Sequence, residues 1–247
     1  MPEFSRKQYD ALAALKCIVS YNKYGGYCVP ESSRHRPAAK TILSNDVYEP
    51  KTIEYLISNC ADGDIVHAGT YFGDFLPALS QACSPKAKIW AFEPNAENYK
   101  CAKITTYIND INNVELINAG LGKRKEMLVM LTSDKNGQAC GGASKILTHE
   151  TGNISGGTQA VQMVTIDETI SPDRKVSIIQ LDVEGHEKQA LSGALKTIRR
   201  CLPIIVVEAY PQSTLLESDW FSENILVLGY QITESIHGNA VLICNSL

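Results

Sequence analysis

No stretch of this 247-residue sequence is apolar over the roughly 20 residues that a membrane-spanning helix needs. The first residues, Glu3, Arg6, Lys7 and Asp10 among them, lack the apolar run of a secretory signal. A Cys-x-x-Cys pair is also missing. The eight cysteines (Cys17, Cys28, Cys60, Cys83, Cys101, Cys140, Cys201 and Cys244) stand apart, with no tight metal-ligand spacing. Several fall in apolar patterns, where a free thiol behaves as a small hydrophobe. Such cysteines suit a reducing compartment, so a soluble, cytoplasmic protein is expected. Excess positive charge is absent too. A formal net charge of −4 supplies no field to draw in nucleic acid or an anionic membrane, and neither is expected as a partner. The basic stretch Arg34-His35-Arg36 to Lys40 is short enough to be a solvated loop. No internal repeat is visible, and oligomeric state leaves no mark in the sequence.

What is present is a globular balance, 44% hydrophobic and 20% charged, on a chain long enough to bury a core without disulfides or metal. Tyr9, Leu12, Leu15, Ile18 and Val19 recur at helical spacing and predict a helix over residues 5–20, ended by Gly25-Gly26. A second helix is expected from about Pro50 to Cys60. Residues 1–62 thus read as a helical extension or lid on a core of residues 63–247. From residue 64 short apolar strands alternate with helices: strands at 64–68, 88–92 and 114–118, helices at 72–83 and 95–108. Further strands are expected at 126–131, 159–164, 176–181 and 204–207, with helices at 186–199 and 215–228. Such alternation predicts an α/β fold of Rossmann-like design, a mainly parallel sheet with helices on both faces. Strands at 230–235 and 240–244, joined through His237-Gly238-Asn239, predict an antiparallel C-terminal hairpin. Residues 133–158, rich in Gly, Ser, Thr and Asn, read as a long loop, and long loops in compact domains often act as lids.

Four places carry chemistry. His67-Ala-Gly-Thr-Tyr-Phe-Gly73 follows a strand and opens a helix. Gly69 suits a tight turn, Gly73 a close helix–sheet approach, and the helix start offers free N–H groups to an adjacent crevice. An ordinary βα turn would use the same glycines. Glu93-Pro94 ends the next strand, 20 residues beyond Gly73, where an acid in nucleotide-binding folds accepts ribose hydroxyls. Asp182, Glu184 and Glu187 cluster after the apolar strand 176–181. Helix capping accounts for one of these acids but not for three. Glu208 ends the strand 204–207 and stands beside Asp182 if the strands are neighbours; a purely structural acid fits it equally well.

The sequence resembles the FkbM-type methyltransferases from about Ile65 to Gln212. The likeness rests on residues 67–73, on AFEPNAENY (91–99), VELINAGLG (114–122) and GGAS (141–144), and on IIQLDVEGHEKQALSGA (178–194) and PIIVVEAYP (203–211). It implies a class I fold with a seven-stranded sheet and transfer of a methyl group from S-adenosylmethionine to a hydroxyl of a sugar, glycan or natural product. The implied cofactor site comprises His67, Gly69, Thr70, Tyr71, Gly73, Glu93, Pro94, Asn95, Ala119 and Asp182. A hydroxyl acceptor must lose its proton as it attacks, which makes Asp182 the first candidate base, with His186 and Glu208 as alternatives. A divalent metal on Asp182 and Glu208 would serve the same end, but two carboxylates are too few to predict one. Acceptor selectivity is expected in residues 133–158 and the N-terminal segment. Three positions depart from the family's usual residues: His67 for aspartate, Tyr71 for asparagine and Gln180 for lysine. Those at 67 and 71 keep open a ligand-binding module without turnover. An NAD-dependent oxidoreductase would share the glycine turn and the strand-terminal acid. However, its Gly-x-Gly-x-x-Gly spacing is absent and the DVEGHE block has no part in it.

Overall fold

The computed structural model describes residues 15–147, 155–208 and 214–245. Its centre is a seven-stranded mixed sheet. In chain order the relevant strands are β3 (Asp64–Ala68), β4 (Ile89–Phe92), β5 (Val114–Ile117), β10 (Val176–Leu181), β11 (Ile204–Glu208), β12 (Tyr230–Ile236) and β13 (Asn239–Cys244). Across the sheet they run β12-β13-β11-β10-β3-β4-β5. β10 pairs in parallel with both β3 and β11, whereas β13 runs against both β11 and β12. The C-terminal hairpin read from the sequence is therefore the antiparallel end of an otherwise parallel sheet. β3 and β10 are buried almost throughout, as strands covered on both faces should be. One core cluster, including Phe92, Ile179, Leu191 and Phe221, fills one side; another, including Ile53, Leu56, Leu79 and Ile178, fills the other.

Residues 120–164 build a second, four-stranded sheet, in which the strands expected at 126–131 and 159–164 pair with each other apart from the main sheet. It comprises β6 (Gly120–Leu121), β7 (Glu126–Leu131), β8 (Lys145–Ile146) and β9 (Thr158–Val164), in the order β6-β9-β7-β8. Met130, Ile146, Val161 and Met163 give it a small core of its own. The long loop expected over 133–158 is thus interrupted by β8 and by a short 3₁₀ turn at Gly141–Ala143; residues 148–154 lie outside the described residues.

The N-terminal helix expected over 5–20 is not there from residue 17 onward. β1 (Cys17–Asn22) and β2 (Gly25–Pro30) form an antiparallel hairpin, with Cys17 opposite Pro30. Alternation overrode the helical spacing: Val19 and Tyr21 face outward, while Ser20 between them is buried and donates to Ile42 O at 2.7 Å. Gly25-Gly26 opens the second strand instead of ending a helix, and Tyr9 and Leu12 lie outside the described residues. Helices α1 (Pro37–Leu43) and α2 (Pro50–Asn59) follow, the latter as expected.

The remaining helices are α3 (Leu76–Ala82), α4 (Ala96–Ile108), α5 (Ile166–Thr169), α6 (Glu187–Ser192), α7 (Leu195–Cys201) and α8 (Asp219–Asn224). The single helix expected at 186–199 breaks at Gly193-Ala194. There a Cβ on Gly193 would lie 2.1 Å from Gly122 O, so the chain approaches too closely for any other residue. Asp167 then restarts α7 by accepting from Lys196 N and Thr197 N. The helix expected at 72–83 begins only at Leu76, because Tyr71 and Gly73 both adopt left-handed backbone angles.

Candidate functional site

The carboxyl ends of β3, β4, β10 and β11 converge on two adjoining cavities. The glycine turn after β3 forms the partition. Gly69, at φ +85°, has Asp182 O so close that a Cβ would sit 1.9 Å from it; this contact locks the end of β3 to that of β10. Free N–H groups expected in this turn are instead consumed inside the fold. Gly69 N and Thr70 N donate to Phe92 O, and Tyr71 N donates to Glu93 Oε2 at 2.7 Å. Thr70 Oγ1 turns inward to His67 O. Tyr71 adopts φ +52°, a region where asparagine is tolerated and a bulky residue is strained, at a cost of about 1 kcal/mol. A hydrogen bond of 2.6 Å to Ser33 Oγ and packing on Phe72 and Gly142 offset that strain.

Glu93 is 4% exposed. Its carboxylate accepts from Tyr71 N, from Asn95 N at 2.8 Å and from Asn98 Nδ2 at 3.4 Å. Burial pushes its pKa up to about 7. Asn95 is the N-cap of α4, accepting from Glu97 N and Asn98 N. Pro94 lines the first cavity, and the next stretch of wall comes from Gly120 and Leu121, the residues just after Ala119.

That first cavity is a slot of about 30 Å³, between the tips of β3, β4 and β10 on one side and the four-stranded sheet on the other. Phe92, Leu121, Met130, Ile146 and Met163 give it apolar walls, and Glu93 stands at its edge. His186 also lines it. His186, an alternative candidate base, is buried, and burial lowers its pKa. Its position separates it from Glu208, whereas Asp182 borders both cavities.

The second cavity, about 230 Å³, is walled by carboxylates: Glu49, Asp74, Asp182, Glu184 and Glu208. Arg36 is the one cationic side chain among the described residues lining it. One oxygen from each of Asp182, Glu184 and Glu208 lies within 4.8 Å of the others. Burial, reinforced by Glu208, Glu184 and Glu49, holds the Asp182 carboxyl well above the usual carboxylate range. Burial first, and Glu208 next, raise Glu184 to about 7; burial likewise raises Asp74 to about 7. Of the three acids after β10, Glu187 is engaged locally, accepting from Val183 N and Gly185 N at 3.2 Å in the turn ahead of α6, which leaves Glu184 to face the cavity.

His67 and Gln180 close the cavity floor. Their strands bring them into register, and His67 Nδ1 donates to Gln180 Oε1 while the ring stacks on Phe75. Burial lowers the His67 pKa to about 4, so the ring is neutral. The sequence reading missed Arg36, Tyr48, Glu49 and Asp74, all of which line this cavity. Asp74 directly follows the glycine turn and was within reach; the others lie in segments whose pattern said nothing of where they would fold.

The methyltransferase FkbM domain model matches residues 67–225, and the chain belongs to that family. Its fold is that of the class I methyltransferases. The crystal structure of the methyltransferase FkbM from Methylobacillus flagellatus KT aligns with a TM-score of 0.51 at 19% identity, over 74% of this chain and 43% of that one. The tRNA (uracil-54, C5)-methyltransferase of Pyrococcus abyssi, in complex with S-adenosyl-L-homocysteine, aligns at 13% identity over 92% of this chain and 44% of that one, with a TM-score of 0.48. The present chain therefore spans less than half the length of either structure. No curated protein matches it.

Proposed function

We propose that the protein transfers a methyl group from S-adenosylmethionine to a hydroxyl oxygen of a small molecule or carbohydrate. The observation that carries this reading is the slot's donor set. Apolar walls suit a flat heterocycle, a buried acid at the edge suits a sugar diol, and the glycine turn lets the tips of β3 and β10 meet beside the slot. Glu93 would take the ribose, and Gly69 and Pro94 would border the nucleoside. The cofactor supplies an electrophilic methyl group; the chain's own residues have to align it with the acceptor. The acid-lined cavity, joined to the slot at Gly69, Gly142 and Asp182, would receive the acceptor. Asp182 borders both cavities, and burial beside other carboxylates raises its pKa, which suits a group that takes up a proton.

At about 30 Å³ the slot is tight for a nucleoside, and the four-stranded sheet is the wall that would give to admit one. Met130 and Met163 make that wall adaptable. One observation favours a second reading, a ligand-binding module without turnover: Glu93 already accepts hydrogen bonds from two backbone N–H groups and an amide. A carboxylate offers about four acceptor sites, which leaves room for one hydroxyl. Calorimetry with S-adenosylmethionine and S-adenosylhomocysteine decides between these readings, followed by a screen of sugar and polyketide hydroxyls for turnover. The first reading expects binding that Glu93→Ala weakens by about 1–3 kcal/mol. Absence of binding by either compound would refute it, and binding without turnover on any acceptor would favour the second.

A further inference from the structure

We propose that Asp182, Glu184 and Glu208 hold a divalent cation in the acid-lined cavity. Their three oxygens, within 4.8 Å of one another, match the spacing around a single ion. Oxygen ligands bonded at about 2.1–2.4 Å stand no more than about 4–5 Å apart across the ion. The three arrive from two rigid strand ends and the turn that follows β10, so little reorganisation is needed. An all-oxygen, all-anionic set selects magnesium, manganese or calcium over the softer metals.

Two further atoms have no explanation within the protein alone. Glu208 Oε2 is enclosed and has no partner among the described residues. Nor has His67 Nε2, on a ring only 2% exposed that lines the same cavity. Gln180 Oε1 can only accept, so His67 Nδ1 carries the ring's proton and Nε2 presents a lone pair. A hydrated cation answers both: the glutamate oxygen becomes a ligand, and the imidazole accepts from the ion's hydration shell. Buried polar atoms are rarely left unpaired, which makes His67 Nε2 a pointer to a ligand independent of the acidic cluster.

The site stands without any assumption about turnover. Joined to the methyl-transfer reading, on which this clause rests, it also narrows the acceptor. An ion here would lower the acceptor's hydroxyl pKa and favour a second oxygen beside it, as in a vicinal diol or α-hydroxy acid.

The test is titration of the metal-free, full-length chain with Mn²⁺, with the free ion read by electron paramagnetic resonance and neither cofactor nor acceptor present. One site is expected, from which Mg²⁺ or Ca²⁺ displaces the manganese. Glu184→Gln and Glu208→Gln should each weaken it at least about tenfold. Glu126→Gln, in a surface ion pair with Arg124, should bind as the wild type does. Thermal melts establish that each variant is folded. Should either cavity variant fail to fold, the wild type still decides: Tb³⁺ emission excited through Tyr48 and Tyr71, which line the cavity, should be strong and suppressed by Mn²⁺. Equal affinity in wild type and folded variants would overturn the proposal, as would absent tyrosine-sensitised emission. Binding of spermidine without binding of Mn²⁺ would overturn it in favour of an ammonium group. Because S-adenosylhomocysteine binding is measured separately, failure here and failure of the methyl-transfer reading are distinguishable.

Discussion

His67 and Gln180, 113 residues apart in sequence, form a buried hydrogen-bonded pair across neighbouring parallel strands. They are also two of the positions where the chain departs from the aspartate and lysine usual in the FkbM pattern. The two departures are one: a charged pair would be exchanged for a neutral pair of matching hydrogen-bond sense. An unpaired charge at either position would be buried without compensation. His67→Asp and Gln180→Lys should therefore each cost on the order of 2–4 kcal/mol in denaturant unfolding, and the double variant should cost less than either. Additive losses would show that the two positions are not coupled.

Glu93 should give the proposed cofactor site a pH dependence. Its pKa is raised to about 7, and the ionised form is the better acceptor for hydroxyl groups. If S-adenosylhomocysteine binds only that form, affinity should rise about tenfold from pH 6 to pH 8, following the ionised fraction. Glu93→Gln should bind more weakly and with a flat profile. Calorimetry at the two pH values measures both, and an unchanged slope in the variant would remove Glu93 from the site.

Asp74 should affect stability in the opposite sense to a salt-bridged carboxylate. Its folded pKa lies near 7, above the unfolded value, so the folded chain binds more protons between those limits. Its contribution is least unfavourable at low pH, worsens as pH rises, and is complete above about 7. Asp74→Asn should thus raise the melting temperature more at pH 8 than at pH 5. Glu49, Glu93 and Glu184 would keep their own slopes in both proteins.

Opening of the slot can be followed directly. Peptides covering Cys140–Leu147 and Leu128–Leu131 should exchange faster without ligand and gain protection with S-adenosylhomocysteine, if the four-stranded sheet gives to admit it and then recloses. Equal exchange in both states would mean that the nucleoside lies elsewhere.

Asp182→Asn keeps shape and removes basicity. Turnover on an identified acceptor should fall by roughly two to four orders of magnitude, as for a lost general base, while S-adenosylhomocysteine affinity changes little. A loss of stability with turnover retained per folded molecule would make Asp182 structural.

The sheet was legible because β3, β10 and β11 are short, mostly apolar runs bounded by turn residues. Residues 17–22 misled because Ile18 and Val19 fit a helical stripe and a strand equally well, and only pairing with β2 chooses between them. Glu93 and Asp182 could be found because strand ends place them. Glu184 was ambiguous because sequence cannot say which of two nearby acids bonds to the backbone beside it; Glu187 does so, accepting from Val183 N and Gly185 N. Arg36, Tyr48 and Glu49 reach the cavity through a tertiary fold of the N-terminal segment that no local pattern encodes.

The shared family region begins at His67, yet the acid-lined cavity takes Arg36, Pro37, Ala38, Tyr48 and Glu49 from ahead of it. Five of the sixteen residues lining that chamber thus lie ahead of the matched region, while the slot proposed for the nucleoside lies wholly within it. Substitutions among those five would change what the chamber admits and leave the proposed methyl-donor slot untouched. Relatives with a different leading segment would keep one reagent and shop for another customer, and a graft of residues 15–59 would carry that choice from one protein to the next.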